Sequence, residues 1–174
     1  MALINFLSAM QQKSAGRKIT ARIHTHNDAL RIGRALESLR PCDEVLVIDH
    51  GDHGSTDNTQ AIAREYGASV VVVGLEVASS EIAAYAKHEW LLCLLPTESV
   101  AEGLEASLLE WKLQESSAPV EAFAVGLVDD TQGWTQLPPE TRLVHRQHAH
   151  WNGNLPANQP GPVLEGFLLR LSFP

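Results

Sequence analysis

The chain has 174 residues, 44% of them hydrophobic, which is enough to bury one sizeable core and too few for two ordinary domains. Its formal net charge of −8 means that it lacks the basic surface that holds proteins on nucleic acid, so we expect neither a DNA nor an RNA partner. The two cysteines, Cys42 and Cys93, lack metal-type spacing and suit a reducing, cytoplasmic location.

Residues 1–18 are predicted to form an N-terminal helix or tail. Four apolar residues near helical spacing predict a short amphipathic helix that docks on its own domain, with peripheral membrane contact as the alternative; they are Leu3, Phe6, Leu7 and Met10. The segment lacks a convincing secretory cleavage site, and no stretch of the chain reaches the roughly 20 apolar residues of a membrane span.

Strand and helix patterns alternate over the next part of the chain. Strand patterns cover residues 18–25, 43–49, 68–74, 89–95 and 121–129, and helix patterns cover residues 29–39, 55–67, 79–88 and 99–115. This alternation predicts one α/β domain with a mostly parallel sheet, whose ligands bind at the carboxyl ends of the strands. Residues 131–174 are predicted to be an irregular C-terminal segment, apart from regular patterns at 141–146 and 165–171.

A series of ordered motifs lies between residues 19 and 73. A strand is followed by a His-Asn-Asp turn at 26–28, an Arg-Ile-Gly helix at 31–33, a second strand ending in Asp49, a Gly-Ser-Thr-Asp turn at 54–57 and a helix containing Ala-Arg-Glu-Tyr-Gly-Ala at 63–68. The series resembles the amino-terminal half of family 2 glycosyltransferases. The resemblance implies the GT-A nucleotide-sugar fold, a three-layer α/β/α sandwich with a mostly parallel central sheet, and a nucleotide-binding-like core over residues 19–130.

The resemblance also implies a nucleotide site at the ends of the first two strands. By position in the family motifs, the residues that bind the base and ribose would be Thr25, Asn27, Asp28 and Asp49. A carboxylate at a strand end accepts hydrogen bonds from a uracil N–H or a ribose hydroxyl, which supports this role for Asp49 above all. The alternative for Asp28 and Asp57 is to cap the helices near them. A mostly parallel sheet is expected to place Thr25 and Asp49 at neighbouring strand ends.

The second half of the chain departs from the family where the family holds a divalent cation. At the end of the fourth strand the family has Asp-x-Asp, whereas residues 95–98 here are Leu-Pro-Thr-Glu. We therefore expect no cofactor, and Mn²⁺ or Mg²⁺ only if another carboxylate replaces the missing pair. The family's usual base is missing from the tail as well, where Leu155 precedes Pro-Ala. The remaining weak candidates for a catalytic residue are Glu98, Glu165 and His150.

The tripeptide Asp-His-Gly occurs twice in succession, at residues 49–51 and 52–54. Compared with the family's turn, the three extra residues fit a duplication within a surface turn, where added length costs little. A metal site is the alternative, because neighbouring strands would bring imidazoles and carboxylates together at their ends. The metal cluster would consist of His24, His26, His50, Asp52 and His53.

The sequence therefore predicts a diverged, glycosyltransferase-like domain that binds a nucleoside diphosphate or nucleotide-sugar, with weak or lost glycosyl transfer. One alternative is an active glycosyltransferase that uses a nucleoside-diphosphate donor. The other is a His/Asp metal-dependent hydrolase or metal-binding protein. An oligomer is compatible with each of these functions.

Overall fold

The computed structural model describes residues 16–115, 119–131 and 133–173. The expected N-terminal helix lies outside these residues except for 16–18, which have no regular structure. Within the described ranges, no helix is long and apolar enough to cross a membrane.

The first half of the chain alternates strands and helices, as the sequence patterns predict. In chain order the elements are β1 (Ile19–Thr25), α1 (Ile32–Glu37), β2 (Glu44–His50), α2 (Thr59–Glu65), β3 (Ser69–Val73), α3 (Ser79–Ile82) and β4 (Trp90–Leu94). A 3-10 turn, Ala83–Tyr85, follows α3, so the expectation of one helix over residues 79–88 is wrong in its second half. Ala86 adopts extended backbone there and directs the chain away from the helix.

The second half of the chain contributes most of the remaining strands. Its elements are β5 (Glu98–Val100), α4 (Glu102–Leu113), β6 (Ala122–Asp129), β7 (Thr135–His145), β8 (Trp151–Asn152), β9 (Leu155–Pro156) and β10 (Val163–Arg170). Helix α4 buries Leu104, Leu108 and Trp111, which recur at helical spacing and so share one side. β8 and β9 pair with each other alone, and we call them hairpin 151–156.

One eight-stranded sheet runs through the described residues in the order β3-β2-β1-β4-β7-β6-β10-β5. β7 and β5 are antiparallel to the other six strands, which are all parallel to one another. The prediction of an α/β domain with a mostly parallel central sheet is thereby confirmed. After β3 the chain returns to place β4 beside β1, so the strand order reverses between β1 and β4, the usual position for a ligand site in such sheets.

The sheet is covered on both faces. Helices α1, α2 and α4 pack on one face, against the apolar residues of β1. The other face is covered by α3, the 3-10 turn and hairpin 151–156. Because side chains alternate along a strand, β1 presents Thr20, Arg22 and His24 to this second face, and all seven of its residues are buried. Three polar residues on one buried face of a central strand are unusual, and two of these three, Arg22 and His24, belong to the site described below.

The expectation of an irregular segment over residues 131–174 is wrong. β7 and β10 lie in this segment, and both belong to the central sheet. Pro138 and Pro139 argue against a strand in the sequence, because proline cannot donate a hydrogen bond to a neighbouring strand. They lie where the register between β6 and β7 shifts, opposite the stretch from Val125 to Leu127. The two prolines, which lack an N–H group, therefore lie where the regular hydrogen bonding between β6 and β7 is interrupted.

Candidate functional site at the carboxyl ends of the strands

A cavity of about 490 Å³ opens at the carboxyl ends of β1, β2 and β4, beside the point where the strand order reverses. Polar side chains converge on it: Thr25, Asp28 and Arg31 from the end of β1 and the turn after it, His50 from the end of β2, and Thr97 from the turn after β4. We call it the carboxyl-end cavity. A larger cavity of about 700 Å³ lies between α1 and α4, away from the strand ends where open α/β sheets bind their ligands.

The turns that follow β1 and β2 hold each other in place. The Asn27 side-chain oxygen accepts a hydrogen bond from the Thr56 N–H at 2.8 Å. In the other direction, the Asn27 N–H donates to the Ser55 hydroxyl oxygen and the Asp28 N–H donates to the Thr59 hydroxyl oxygen, both at 2.8 Å. Asn27 adopts a φ of 54°, which asparagine tolerates better than most residues. The two turns therefore form one rigid wall beside the cavity.

The four residues predicted to bind a nucleotide have different positions. Thr25 and Asp49 are register partners at neighbouring strand ends, which confirms the expectation for that pair. Thr25 and Asp28 line the cavity, whereas Asn27 and Asp49 lie outside its lining. The Asp28 carboxylate accepts from the Thr25 hydroxyl at 2.8 Å and pairs with Arg31 at 3.1 Å. Of the four, Thr25 and Asp28 are thus the side chains that a ligand in the cavity can reach.

The capping alternative is wrong for Asp28, and Asp57 fits it only through a bond to the first residue of α2, because Asn58 at the N-cap makes no side-chain bond. Helix α1 begins without a side-chain cap, and it is the carbonyl oxygen of Asp28, not the carboxylate, that accepts from the Ile32 N–H at 2.9 Å. The Asp57 carboxylate accepts from the N–H of Thr59, the first residue of α2, at 2.9 Å. It also accepts from the Ala29 N–H at 3.1 Å, which adds another bond between the two turns.

Asp49 is fully buried, and its carboxylate is occupied by the protein itself. One oxygen accepts from the Ser55 N–H and from the Gln60 side-chain amide, each at 2.7 Å. The other accepts from the Ser55 hydroxyl at 2.6 Å. Asp49 therefore organises the turn after β2. The sequence shows that Asp49 ends a strand. It does not show the hydrogen bonds to the Asp49 carboxylate, because these depend on how the turn folds back over the strand end.

The doubled Asp-His-Gly begins inside β2, which contains Asp49 and His50, and its remaining residues, 51–54, continue into the turn between β2 and α2. Gly51 and Gly54 have positive φ values of 117° and 73°, conformations that favour glycine. Asp52 and His53 lie exposed between them. The repeat thus places a glycine at each of the two points where the turn requires one.

Replacing Gly54 with alanine should destabilise the protein through this turn. A Cβ at Gly54 would lie 2.7 Å from a carboxylate oxygen of Asp49 and 2.5 Å from the Gln60 amide nitrogen, so the new methyl group would disrupt the bonds of Asp49. We expect a loss of about 2 kcal/mol in the free energy of unfolding, measured by urea denaturation. The control is Gly153→Ala, which has a φ of 60° and nothing within 4 Å of its Cβ, and should lose only about 1 kcal/mol. Equal losses would mean that the contact with Asp49 is unimportant.

Three histidines come together beside the cavity through hydrogen bonds. His24 Nδ1 lies 2.6 Å from His50 Nε2, and His26 Nδ1 lies 2.6 Å from the carbonyl oxygen of His50. The Nε–H of Arg22 donates to the other ring nitrogen of His24 at 2.7 Å, so both nitrogens of His24 are engaged. In the part of the chain that the structure describes, no group of three or more His, Cys, Asp or Glu side chains is placed to hold a metal ion.

Burial keeps two of these imidazoles neutral. The pKa of His24 is lowered to about 2, first by burial, then by the positive charge of Arg22 and by electrostatic coupling to the His50 ring. The pKa of His50 is also lowered, chiefly by burial, although Asp49 acts in the opposite direction. Both rings are therefore neutral near pH 7, a state in which an imidazole donates through one nitrogen and accepts through the other.

None of the three candidate catalytic residues belongs to the lining of the carboxyl-end cavity. Glu98 is fully buried, and its carboxylate pairs with Arg142 at 2.8 Å and Arg170 at 3.0 Å. Glu165 is exposed at the irregularity in β10, and His150 is exposed in the tail, where its backbone N–H donates to a glutamine side chain. Leu95, Pro96 and Thr97 line the cavity where the sequence comparison places the missing Asp-x-Asp.

Sequence reasoning missed Arg22, Arg31 and Asn154. Arg31 and Asn154 line the cavity from a turn and from the tip of hairpin 151–156, positions that carry no distinct sequence signal. Arg22 could have been found from the sequence. It lies two residues before His24 in a strand of buried residues, so the two side chains must lie on the same face of that strand.

Comparison with known proteins confirms the glycosyltransferase resemblance. No protein-family model matches the chain. A protein of Rickettsia felis named an uncharacterized glycosyltransferase is 37% identical over 92 residues, and one of Rickettsia bellii with the same name is 38% identical over 93 residues. Each match covers 51% of this chain and 31% of the relative, so the matched part spans about a third of the relatives' length. These relatives support a glycosyltransferase-type domain.

Three of the solved structures that resemble this chain are from S. aureus, Bacillus anthracis and Streptococcus pneumoniae. TarS of S. aureus shows 22% identity and a TM-score of 0.49, covering 70% of this chain and 23% of its own. A putative glucose-1-phosphate thymidylyltransferase from Bacillus anthracis shows 11% identity and a TM-score of 0.46, covering 87% and 71%. The glycosyltransferase GlyE of Streptococcus pneumoniae shows 10% identity and a TM-score of 0.42, covering 75% and 35%.

Proposed function

We propose that this glycosyltransferase-type domain binds a nucleoside diphosphate or nucleotide-sugar in the carboxyl-end cavity. The observation that carries the proposal is the position of this cavity, where the strand order reverses between β1 and β4 and where polar side chains from several elements converge. The curated relatives support the same class of ligand through their names alone.

Thr25, Asp28 and Arg31 are the groups that we assign to the ligand in this proposal. Asp28 is buried at the edge of the cavity, and its carboxylate keeps acceptor capacity beyond its bonds to Thr25, to the His26 N–H and to Arg31. A carboxylate in such a partly dry position discriminates well for a ring N–H or a ribose hydroxyl. Asn27 and Asp49 contribute indirectly, because they fix the turns on which the lining residues lie.

We further propose that glycosyl transfer by this domain is weak or lost. A departing diphosphate requires a cation or several basic donors to stabilise its charge. Leu95 and Thr97 carry no carboxylate with which to hold a cation, and the carboxylate of Glu98 is directed to Arg142 and Arg170 in the interior. Mn²⁺ and Mg²⁺ are therefore expected to matter little for binding.

Calorimetric titration with UDP, in Mn²⁺ and separately in EDTA, tests this proposal. We expect a dissociation constant in roughly the high-micromolar range or weaker under both conditions, because a few hydrogen bonds supply the affinity. Asp28→Asn should weaken binding by about tenfold, since it removes the charge while preserving the shape. Asp52→Asn is the matched control, because Asp52 is exposed in the neighbouring turn, and it should bind as the wild type does.

Two results would contradict the proposal. Absence of UDP binding at millimolar concentrations would remove the nucleotide site. Tight binding that requires Mn²⁺, or hydrolysis of a nucleotide-sugar under saturating Mn²⁺, would instead favour the active-transferase alternative and imply a carboxylate that replaces the missing pair.

A further inference from the structure

Arg22 is a buried cation that has no counter-ion among the residues that the structure describes. Its side chain is fully buried on the face of the sheet beneath hairpin 151–156, and its guanidinium carbon lies 4.1 Å from the centre of the Trp151 ring. Its Nε–H donates to His24, but neither terminal nitrogen has a hydrogen-bond partner within the described ranges. A buried charge is costly unless it is paired, and an aromatic face offsets only part of that cost. Because this arrangement costs stability, we expect the Arg22 charge to have a functional role through the groups that it contacts.

The hydrogen bonds that begin at Arg22 have a fixed direction. A guanidinium can only donate, so His24 Nε2 must accept. A neutral imidazole that accepts at Nε2 carries its proton on Nδ1, so the 2.6 Å contact between the two rings is a bond from His24 Nδ1–H to His50 Nε2. His50 Nε2 therefore accepts, and the proton of His50 must lie on its Nδ1. Each bond polarises the next, which makes this last N–H a stronger donor than an isolated imidazole.

The chain of donors ends at the carboxyl-end cavity. His50 lines the cavity and is half-buried, and no hydrogen bond to its Nδ1 occurs in the described part of the chain. The ring is held in orientation by its bond to His24, and the two rings lie edge to edge and close to coplanar, with 4.9 Å between ring centres and 21° between planes. Its carbonyl oxygen is held by His26, which donates from Nδ1 at 2.6 Å. His50 thus has a positioned and unused N–H donor beside the cavity.

We propose that the His50 Nδ1–H binds an anionic phosphate oxygen of the ligand in the carboxyl-end cavity, and that Arg22, acting through His24, is the positioning residue that makes this donor strong. The proposal deepens the proposed function, on which it rests for the identity of the complete ligand. Arg31, also in the cavity lining, offers further N–H donors near the same space, and its charge is paired with Asp28. The arrangement offers positive potential to the ligand while both imidazoles stay neutral, in agreement with the lowered pKa of His24 and of His50.

The first test measures binding of inorganic pyrophosphate, UDP and uridine to the full chain by calorimetry. His50→Phe keeps a planar aromatic ring at this position but removes both ring nitrogens and with them the donor, and it should weaken pyrophosphate and UDP binding by about tenfold or more. Uridine binding should be unchanged, because uridine carries no phosphate. His53→Phe, in the exposed part of the same turn, is the matched control and should change none of the three.

The second test separates the role of Arg22 from a purely structural one. Arg22→Met removes the buried charge but keeps an apolar stem, so the protein should stay folded with an unchanged or raised melting temperature. Pyrophosphate and UDP binding should nevertheless fall by about tenfold. Long-range ¹H–¹⁵N spectra of the histidine rings should show protons on Nδ1 of both His24 and His50 in the wild type, and loss of that preference in the variant.

The outcomes distinguish this inference from the proposed function. If uridine and UDP bind but the His50 and Arg22 variants leave UDP and pyrophosphate affinity unchanged, the inference is wrong and the nucleotide site stands. If pyrophosphate binds through His50 but uridine does not bind and UDP binds no better than pyrophosphate, the inference stands and the nucleotide site is wrong. A wild-type His50 protonated at Nε2, or a wild type that binds neither pyrophosphate nor UDP at millimolar concentrations, would overturn the inference.

Discussion

Glu98→Ala is expected to lower the free energy of unfolding by about 3–5 kcal/mol, because the substitution leaves the charge of Arg142 buried without its main partner. Arg142 donates two hydrogen bonds to Glu98, at 2.8 and 2.9 Å, and both side chains are fully buried. Glu98 also accepts from Arg170 at 3.0 Å and from the Leu95 N–H at 2.9 Å. Urea denaturation at neutral pH measures the loss.

The chain contains a matched control for this prediction. Glu140 contacts the same guanidinium of Arg142 at 2.9 Å, but its side chain is 39% exposed. Glu140→Ala should therefore cost about 1 kcal/mol or less, as surface ion pairs do. The double variant Glu98→Met with Arg142→Met should recover most of the lost stability, because it removes both buried charges together. Similar losses for Glu98→Ala and Glu140→Ala would show that the burial of an ion pair with Arg142 does not determine how much that pair contributes to the free energy of unfolding.

The result bears on the interpretation of Glu98 as a candidate catalytic residue. In the sequence, Glu98 is the single acid near the positions of the missing Asp-x-Asp. In the structure it is the register partner of Arg170, and it connects the edge strand β5 to β10 and to Arg142 of β7. A large loss of stability together with an intact ligand-binding surface would assign Glu98 to the architecture of the sheet.

Acid is expected to destabilise the protein through His24 well before most carboxylates titrate. In the folded protein the pKa of His24 is lowered to about 2, against an ordinary value of 6.5. As the pH falls below about 6.5, the unfolded chain binds a proton at this residue and the folded protein does not. The contribution of His24 to the free energy of unfolding is therefore fully present above that pH and decreases as the pH falls toward 2. The loss amounts to about 1.4 kcal/mol per pH unit, or about 2–3 kcal/mol between pH 6 and pH 4.

Urea midpoints between pH 7 and pH 4 test this prediction. The pKa of His50 is lowered as well, so its contribution has the same sign. The carboxyls of Asp43 and Asp129 also have lowered pKa values, but their contribution is lost only as the pH falls below about 4, outside the window. His24→Gln should show a flatter dependence on pH over this range, whereas the control His53→Gln should follow the wild type. Parallel curves for wild type and His24→Gln would contradict the prediction.

The sequence alone determined the order of the strands and helices over residues 19–73 and the adjacency of Thr25 and Asp49. These features depend on local information: the period of apolar residues, the glycines and polar residues of the turns, and the sequence of motifs that resembles a known family. The same local information was misleading for β7, because two prolines argue against a strand unless the register of its neighbour is known.

Only the tertiary structure decided the roles of the polar residues. Asp49 was the best candidate by position, yet Ser55 and Gln60 occupy its carboxylate once the turn folds back. Glu98 meets arginines that lie 44 and 72 residues away along the chain. The direction of the hydrogen bonds from Arg22 to His50 requires the contact between β1 and β2 side chains. Periodicity indicates which face of a strand a side chain occupies, but the partner that it meets there is set by strand order, register and packing between distant segments, which no local pattern encodes.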